Sequence, residues 1–228
     1  MPDLSGPTRR GIALPIAEEK SVARRNIATQ RRSKDKVQRI LDTTLAMLSA
    51  GPADKITTNE IAKNAGISIG TLYHYFPKKE AIFYELFRRW LQQTLDLLDG
   101  VDARFDGSEN LEDYVDAIFE RLSRDEEINS PGHWQLRRAM GSSRELAELE
   151  AHHQKEVTQR LISFQKRFGR EISEQQAGAL AYLQNQVSVA CLSAAALYGS
   201  RPEGREVLQW CRKTLHLVYD IERLSDKL

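Results

Sequence analysis

Apolar residues recur three and four positions apart along most of this chain, and strict alternation over a strand's length is absent. That spacing predicts an all-α protein of about nine helices. Val37, Ile40, Leu41, Leu45 and Leu48 form one apolar stripe with lysine and arginine opposite, which predicts a helix over 34–50. Gly51 and Pro52 end it. A short helix is expected over 58–64, opened by a Thr57–Glu60 capping box. Ala65-Gly66 makes a turn. A third helix starts behind Ser68, with Ile67 and Leu72 spaced as a hydrophobic staple, and closes at Pro77. Longer helices follow at about 79–99 and 110–128. A short one over 131–140 has Ser130 as cap and Pro131 in its first position. Capping boxes at Ser142/Glu145 and Ser173/Gln176 open helices to about 168 and 198. Gly199, Pro202 and Gly204 then break the chain before a last helix to about 224.

Composition changes this picture in two ways. Hydrophobic content of 41% over 228 residues suffices for a sizeable core. The net charge of +1 conceals an asymmetry: residues 1–80 hold 14 Lys/Arg against 8 Asp/Glu, and residues 81–228 hold 19 against 24. A basic N-terminal third on a mildly acidic remainder suggests a polyanion-binding module joined to something else. Residues 1–32 are polar and basic, with Arg9, Arg10, Arg24, Arg25, Arg31 and Arg32, and carry too little apolar surface to offset the entropy of ordering. They are expected to form a mobile arm that follows DNA phosphates or stays solvated. The absence of proline between Ile16 and Gly51 leaves room for the first helix to extend into it. The expected organisation is this arm, a DNA-binding module over 33–80, and a larger helical domain over 81–228.

No apolar run is seen that approaches the roughly 20 residues of a membrane span. The apolar patch in "TRRGIALPIAEEK" is too short for export, being broken by Pro15 and followed by Glu18 and Glu19. Cys191 and Cys211 have neither metal spacing nor a disulfide framework, so a reducing cytoplasm is the expected location. Nucleophile-elbow and phosphate-loop motifs are missing. His152 and Glu156 share one helix face but find no third ligand. Neither catalysis, nor a metal, nor a cofactor is expected.

Two short helices joined by a glycine turn and braced by a first helix make a helix-turn-helix, whose second helix enters the major groove N-terminal end first. Leu72 and Phe76 face inward with Ile67, leaving Ile69, Gly70, Thr71, Tyr73 and His74 on outer or flanking faces. Glycine is a poor helix former, costing about 1 kcal/mol relative to alanine. At position 70 it either lets the backbone approach something bulky or relieves packing within the chain. Ile69 suits a thymine methyl group or packs against the first helix. Tyr75 either reaches the DNA backbone or packs under Phe76.

The stretch "ITTNEIAKNAGISIGTLYHYFPKKEAI" closely resembles the DNA-binding signature of the TetR (tetracycline-repressor) family, which shows TT, IA, AG-[VI]-S, G-T-L-Y, YF and KE-x-[LI] at these spacings. The match covers about 37–90. Lys78 departs from it, standing where the family has Ser, Asn or Asp as the cap of the fourth helix. The resemblance implies Thr58, Tyr73 and Lys79 at DNA phosphates and Ser68, Ile69, Thr71 and His74 at base edges, chemistry that these side chains support.

It also implies a homodimer built from the last two long helices. Small and apolar residues there, Val187, Cys191, Ala194, Ala195, Leu208, Cys211, Leu215 and Val218, are the expected interface. Their other reading is core of the single chain. A small-molecule effector is implied between the DNA-binding module and the dimer helices, its candidate lining being Phe87, Trp90, Tyr114, Phe119, His133, Trp134, Arg137, His153, Tyr182 and Gln186. Arg137 or Arg138 would suit a carboxylate. The polar "LQNQ" at 183–186 interrupts an apolar helix and faces either a cavity or the partner. The expected function is a homodimeric repressor released from a near-palindromic operator by its effector. The alternatives are an activator on the same scaffold and a ligand-independent architectural DNA-binding protein.

Overall fold

A computed structural model describes residues 16–108, 110–125, 129–139, 144–168, 173–198 and 201–220, with side chains from 31 onward. The described residues contain helices and no strand. In chain order these are α1 (Ile16–Ala50), a 3₁₀ turn (Ala53–Lys55), α2 (Thr58–Asn64), α3 (Ile69–Tyr75), α4 (Lys79–Asp102), α5 (Leu111–Arg124), α6 (Pro131–Ala139), α7 (Arg144–Arg167), α8 (Glu174–Tyr198) and α9 (Gly204–Tyr219).

The first helix is longer than its apolar stripe. It ends at Ala50 as expected but begins at Ile16, so half of the segment expected as a mobile arm is helical. With no proline to stop it, the backbone ladder propagates past the last buried residue. The rest of that segment, with Arg9 and Arg10, lies outside the described residues, as do Ser142 of the seventh helix's expected capping box and the expected end of the last helix beyond 220.

Local signals set most other boundaries. The Thr57–Glu60 box is formed in both directions: the Thr57 hydroxyl accepts from Glu60 N, and Glu60 Oε2 accepts from Thr57 N at 3.0 Å. Hydrogen bonds from Thr57 also hold the Glu60 carboxyl below the usual carboxylate range. Ser173 and Gln176 repeat this arrangement in front of α8. Ser130 Oγ accepts from Gly132 N ahead of α6. As its residue type foretold, Lys78 stands at the N-cap of α4 without a side-chain cap bond.

Two hydrophobic clusters organise the molecule. The first joins α1, α2, α3, the N-terminal half of α4 and α6 through Ile40, Leu48, Ile61, Leu72, Phe83 and Trp134. The helix-turn-helix therefore shares its core with the elements behind it. The second lies among α5, α7, α8 and α9, with Tyr114, Phe164, Cys191, Leu215 and Tyr219. Arg167 is bidentate to Asp102, which also receives the Tyr114 hydroxyl at 3.0 Å, and Arg160 is bidentate to Asp99. These bonds tie the end of α4 to α5 and α7. The two cysteines face one another, each thiol lying against the other's carbonyl, and burial pushes Cys191 up to about 12.

One close approach stands apart. A Cβ on Gly132 would lie 2.6 Å from both Leu45 O and Ser49 Oγ, so α6 packs on α1 by its bare backbone.

Candidate DNA-binding face and adjoining cavity

The turn between α2 and α3 depends on Gly66, whose φ of 64° lies where a side chain is strained. Beyond it Ser68 caps α3 by accepting from Thr71 N at 3.1 Å, and the Ser68 and Thr71 hydroxyls lie 2.8 Å apart. Leu72 is fully buried, and Ile67 and Tyr75 pack against the same cluster. Packing therefore accounts for Tyr75.

The outward face of α3 has no such account within the chain. Ile69 is 37% and Tyr73 48% exposed, and His74 is exposed beside them. A Cβ on Gly70 would meet nothing closer than Ser68 Oγ at 4.0 Å. Packing within this chain thus gives no reason for a residue that weakens its helix.

Thr58 Oγ1 and Tyr73 Oη lie 3.1 Å apart, bringing together two of the side chains expected at DNA phosphates. Lys79 is placed differently. Its ammonium donates to Ala53 O and Ile56 O, at 3.2 and 2.9 Å, and lies 5.6 Å from the Phe83 ring. It braces the loop before α2, and two of its three donors are occupied. Lys55, Lys63 and Lys78 are exposed cations of this module, and no motif or spacing in the sequence singles them out for DNA contact.

Behind the module, α4, α5, α6, α7 and α8 line a cavity of about 80 Å³. Trp90, Leu91 and Leu98 of α4, Trp134 of α6, Val157 and Leu161 of α7, and Val189 and Leu192 of α8 make it largely apolar. Polar groups converge on it as Arg137, His153, Asn129, Asn185 and Ser188. Of the ten candidate lining residues, Trp90, Trp134, Arg137 and His153 do line it. Phe87 and Tyr114 belong to the two cores, and His133 is buried and stacked on Trp90 at 5.1 Å. Phe119 faces a smaller void of about 20 Å³ next door. Tyr182 and Gln186 lie exposed on α8. Helical spacing identifies aromatic residues on inner faces but not which of them border a gap. Asn185 is absent from the candidates, though its position inside the apolar run of α8 is a usable signal.

The "LQNQ" segment divides three ways. Gln184 is buried and accepts from Gln165 Nε2 at 3.1 Å, Asn185 faces the cavity, and Leu183 and Gln186 face outward.

Around the cavity Arg137 is ion-paired with Glu150 and lies 5.9 Å from the Trp134 ring. Burial, with help from Arg137 and Arg160, pushes His153 down to about 4. Its ordinary value of 6.5 applies in the unfolded chain, which therefore takes up a proton between pH 6.5 and about 4 while the folded chain does not. Stability is expected to fall as pH drops through that window, by about 3 kcal/mol at most. Urea unfolding of the wild type and of His153→Gln between pH 7 and 4 checks this. The variant should lose less stability on acidification.

The expected dimer residues mostly face inward. Cys191, Cys211 and Leu215 are buried in the chain's own second core, Val187, Ala194 and Leu208 pack against it, and Ala195 is buried as well. Val218 is half-buried, its carbonyl 3.4 Å from Gln184 Nε2. Their placement matches the other reading, core of the single chain, because an apolar face looks alike in sequence whichever neighbour covers it. On the opposite face of α8 and α9, Tyr182, Leu183, Leu197, Trp210 and Leu217 are exposed, Trp210 at 61%. Among the described residues α8 is the one helix long and apolar enough to cross a membrane by length and composition, with 22% of the qualifying window buried in the chain.

Residues 40–86 match the sequence profile of the bacterial regulatory proteins, tetR family. This module is the part of the chain that is similar to the TetR family. Over 63 residues it is 36% identical to the nucleoid occlusion factor SlmA of Haemophilus ducreyi, covering 27% of this chain and 31% of that protein. Over 46 residues it is 44% identical to the HTH-type transcriptional repressor KstR of Rhodococcus jostii, covering 20% and 22%. The chain thus spans less than a third of the length of either relative. The fold of a transcriptional regulator from Rhodococcus sp. Rha1 superposes with a TM-score of 0.63 at 19% identity, over 81% of this chain and 94% of that one.

Proposed function

We propose that the chain is a homodimeric transcriptional repressor that binds a near-palindromic DNA site through α3 and is released by a small molecule held in the cavity behind it. The observation that carries the DNA-binding part is the outward face of α3. There Ile69, Gly70 and Tyr73 lie exposed, and glycine has no internal reason to be present. A DNA strand supplies the reason: the missing side chain lets the helix backbone come close. Ser68, Thr71 and His74 reach base edges, and Ile69 meets a thymine methyl. Thr58 and Tyr73 share a phosphate. Lys79 orients the loop before α2, and the exposed lysines supply charge.

Apolar side chains on the outer face of α8 and α9 support the dimer. Two copies meeting there present two recognition helices to successive major grooves, about 34–36 Å apart. Effector release rests on shared elements. Trp134 and Arg137 line the cavity on α6, which rests on α1 through Gly132, and α4 runs from the DNA module to the cavity wall. A ligand that fits only when α6 or α4 shifts would favour the dimer geometry that no longer matches its site. KstR is a repressor and SlmA a nucleoid occlusion factor, so the shared module by itself implies DNA binding and serves more than one biological end.

Selection from random duplexes should yield a near-palindrome. Gly70→Leu should leave the melting temperature almost unchanged while costing about 1–3 kcal/mol per half-site in gel-shift titrations. Thr71→Ala should change which bases are preferred. Unchanged affinity and preference in both variants would overturn the assignment of α3.

A further inference from the structure

We propose that the cavity takes a neutral, mainly apolar one-ring molecule carrying a hydroxyl group, and discriminates against the corresponding carboxylate. The inference rests on reading the cavity as the effector site and names the chemistry of its ligand.

Size sets the first limit. A cavity of about 150 Å³ in another protein holds one benzene ring. This one measures about 80 Å³, and the neighbouring void of about 20 Å³ shares Ile118, Leu122, Ser188, Leu192 and Tyr219 with it. One ring is therefore the largest group that enters with side-chain adjustment alone.

Charge sets the second. Arg137 is the only cation on the described cavity wall, and it is already bound to Glu150. Arg160, which acts electrostatically on His153 from the same helix, is matched by Asp99 and Glu156. A ligand carboxylate would meet no unmatched positive charge. Displacing Glu150 from Arg137 would leave a partly buried carboxylate without its counterion. A ligand's charge would also lose its hydration among tryptophan, leucine and valine. Arg137 thus does not serve the carboxylate-binding role that its residue type suggested.

Hydrogen bonding sets the third. His153 Nδ1 and Glu150 Oε2 are buried without a partner, three residues apart on α7. Asn185 faces the same cavity from α8, and its carboxamide has no hydrogen bond among the described residues. Asn129 and Trp134, by contrast, are bonded to each other at 2.9 Å. A hydroxyl both donates and accepts, so it can complete His153 in either tautomer and Asn185 in either orientation. Leaving such groups unpaired is costly, which makes the hydroxyl a basis for selection.

The test uses the full chain with phenol, toluene and benzoate, which share one ring and differ in one group. Calorimetric titration should show phenol binding about tenfold or more tightly than toluene. Benzoate should neither bind nor raise the melting temperature. In His153→Leu/Asn185→Leu, phenol should lose its advantage while toluene still binds, which also shows that the cavity has folded. Leu192→Trp, which fills the cavity, should abolish binding of both. Benzoate binding as tightly as phenol would overturn the ligand class and leave the cavity standing as a site. An undiminished preference for phenol in the double variant would do the same. Failure of all three probes to bind at millimolar concentration, or phenol binding that survives Leu192→Trp, would overturn the cavity as the effector site.

Discussion

Gly132→Ala is expected to destabilise the whole chain by about 2–3 kcal/mol, although it adds one methyl group to a helix. In an exposed helix the same change would stabilise by about 1 kcal/mol. Here the new Cβ falls 2.6 Å from Leu45 O and 2.9 Å from Leu45 Cδ1. The carbonyl belongs to the backbone of α1 and cannot rotate away. α6 must therefore back off, loosening contacts around Leu48, Trp134 and Leu136 in the first cluster. Because α6 also walls the cavity, the shift would reach Trp134 and Arg137. Thermal unfolding followed by circular dichroism checks the stability. Gly178→Ala on α8, where a Cβ meets nothing within 4 Å, is the control and should be neutral or stabilising. Equal stability of the two variants would mean that α6 does not seat on α1 as described.

Trp210→Arg combined with Leu217→Arg is expected to give a monomer whose fold is intact and whose DNA affinity falls by more than about a hundredfold. The two residues lie two turns apart on α9, 61% and 53% exposed. Neither belongs to either core, so the substitutions should cost little within one chain. Placed at the centre of an isologous interface, each would face its own symmetry mate or the exposed apolar row of α8, and the added charges would be buried against one another. A monomer has only one recognition helix, and the linked second half-site contact is lost. Light scattering and gel-shift titration on the selected palindrome check the two effects separately. A dimer that survives both substitutions would place the interface elsewhere. Ala194→Arg is a weaker probe of association, because Ala194 packs against the chain's own core.

Much of the DNA-binding module was legible residue by residue. Thr57, Glu60, Gly66, Ser68 and Leu72 act through neighbours within a few positions, where hydrogen-bond reach and helical pitch alone decide the geometry. The role of Lys79 was not legible. Which carbonyls a long side chain reaches depends on the fold of the loop 53–56, far from it in sequence. His152 and His153, by contrast, were told apart in the sequence, which put His153 among the candidate lining residues and left His152 out. They are adjacent on one helix, yet only His153 turns towards the cavity, because α4 and α6 cover that side.

The sequence by itself determined the helices, most of their ends, the helix-turn-helix and its outward face, since period, caps and turn residues are local properties. It determined that α8 and α9 are apolar but not which side of them each core element would cover. The tertiary structure alone decided that Cys191 and Cys211 face inward and Trp210 outward, that four of ten candidate side chains border a cavity, and that Gly132 is a contact point. The physical reason is that burial is a relation between two surfaces. A stripe of apolar residues states that it must be covered, and only the packing of the other helices decides by what.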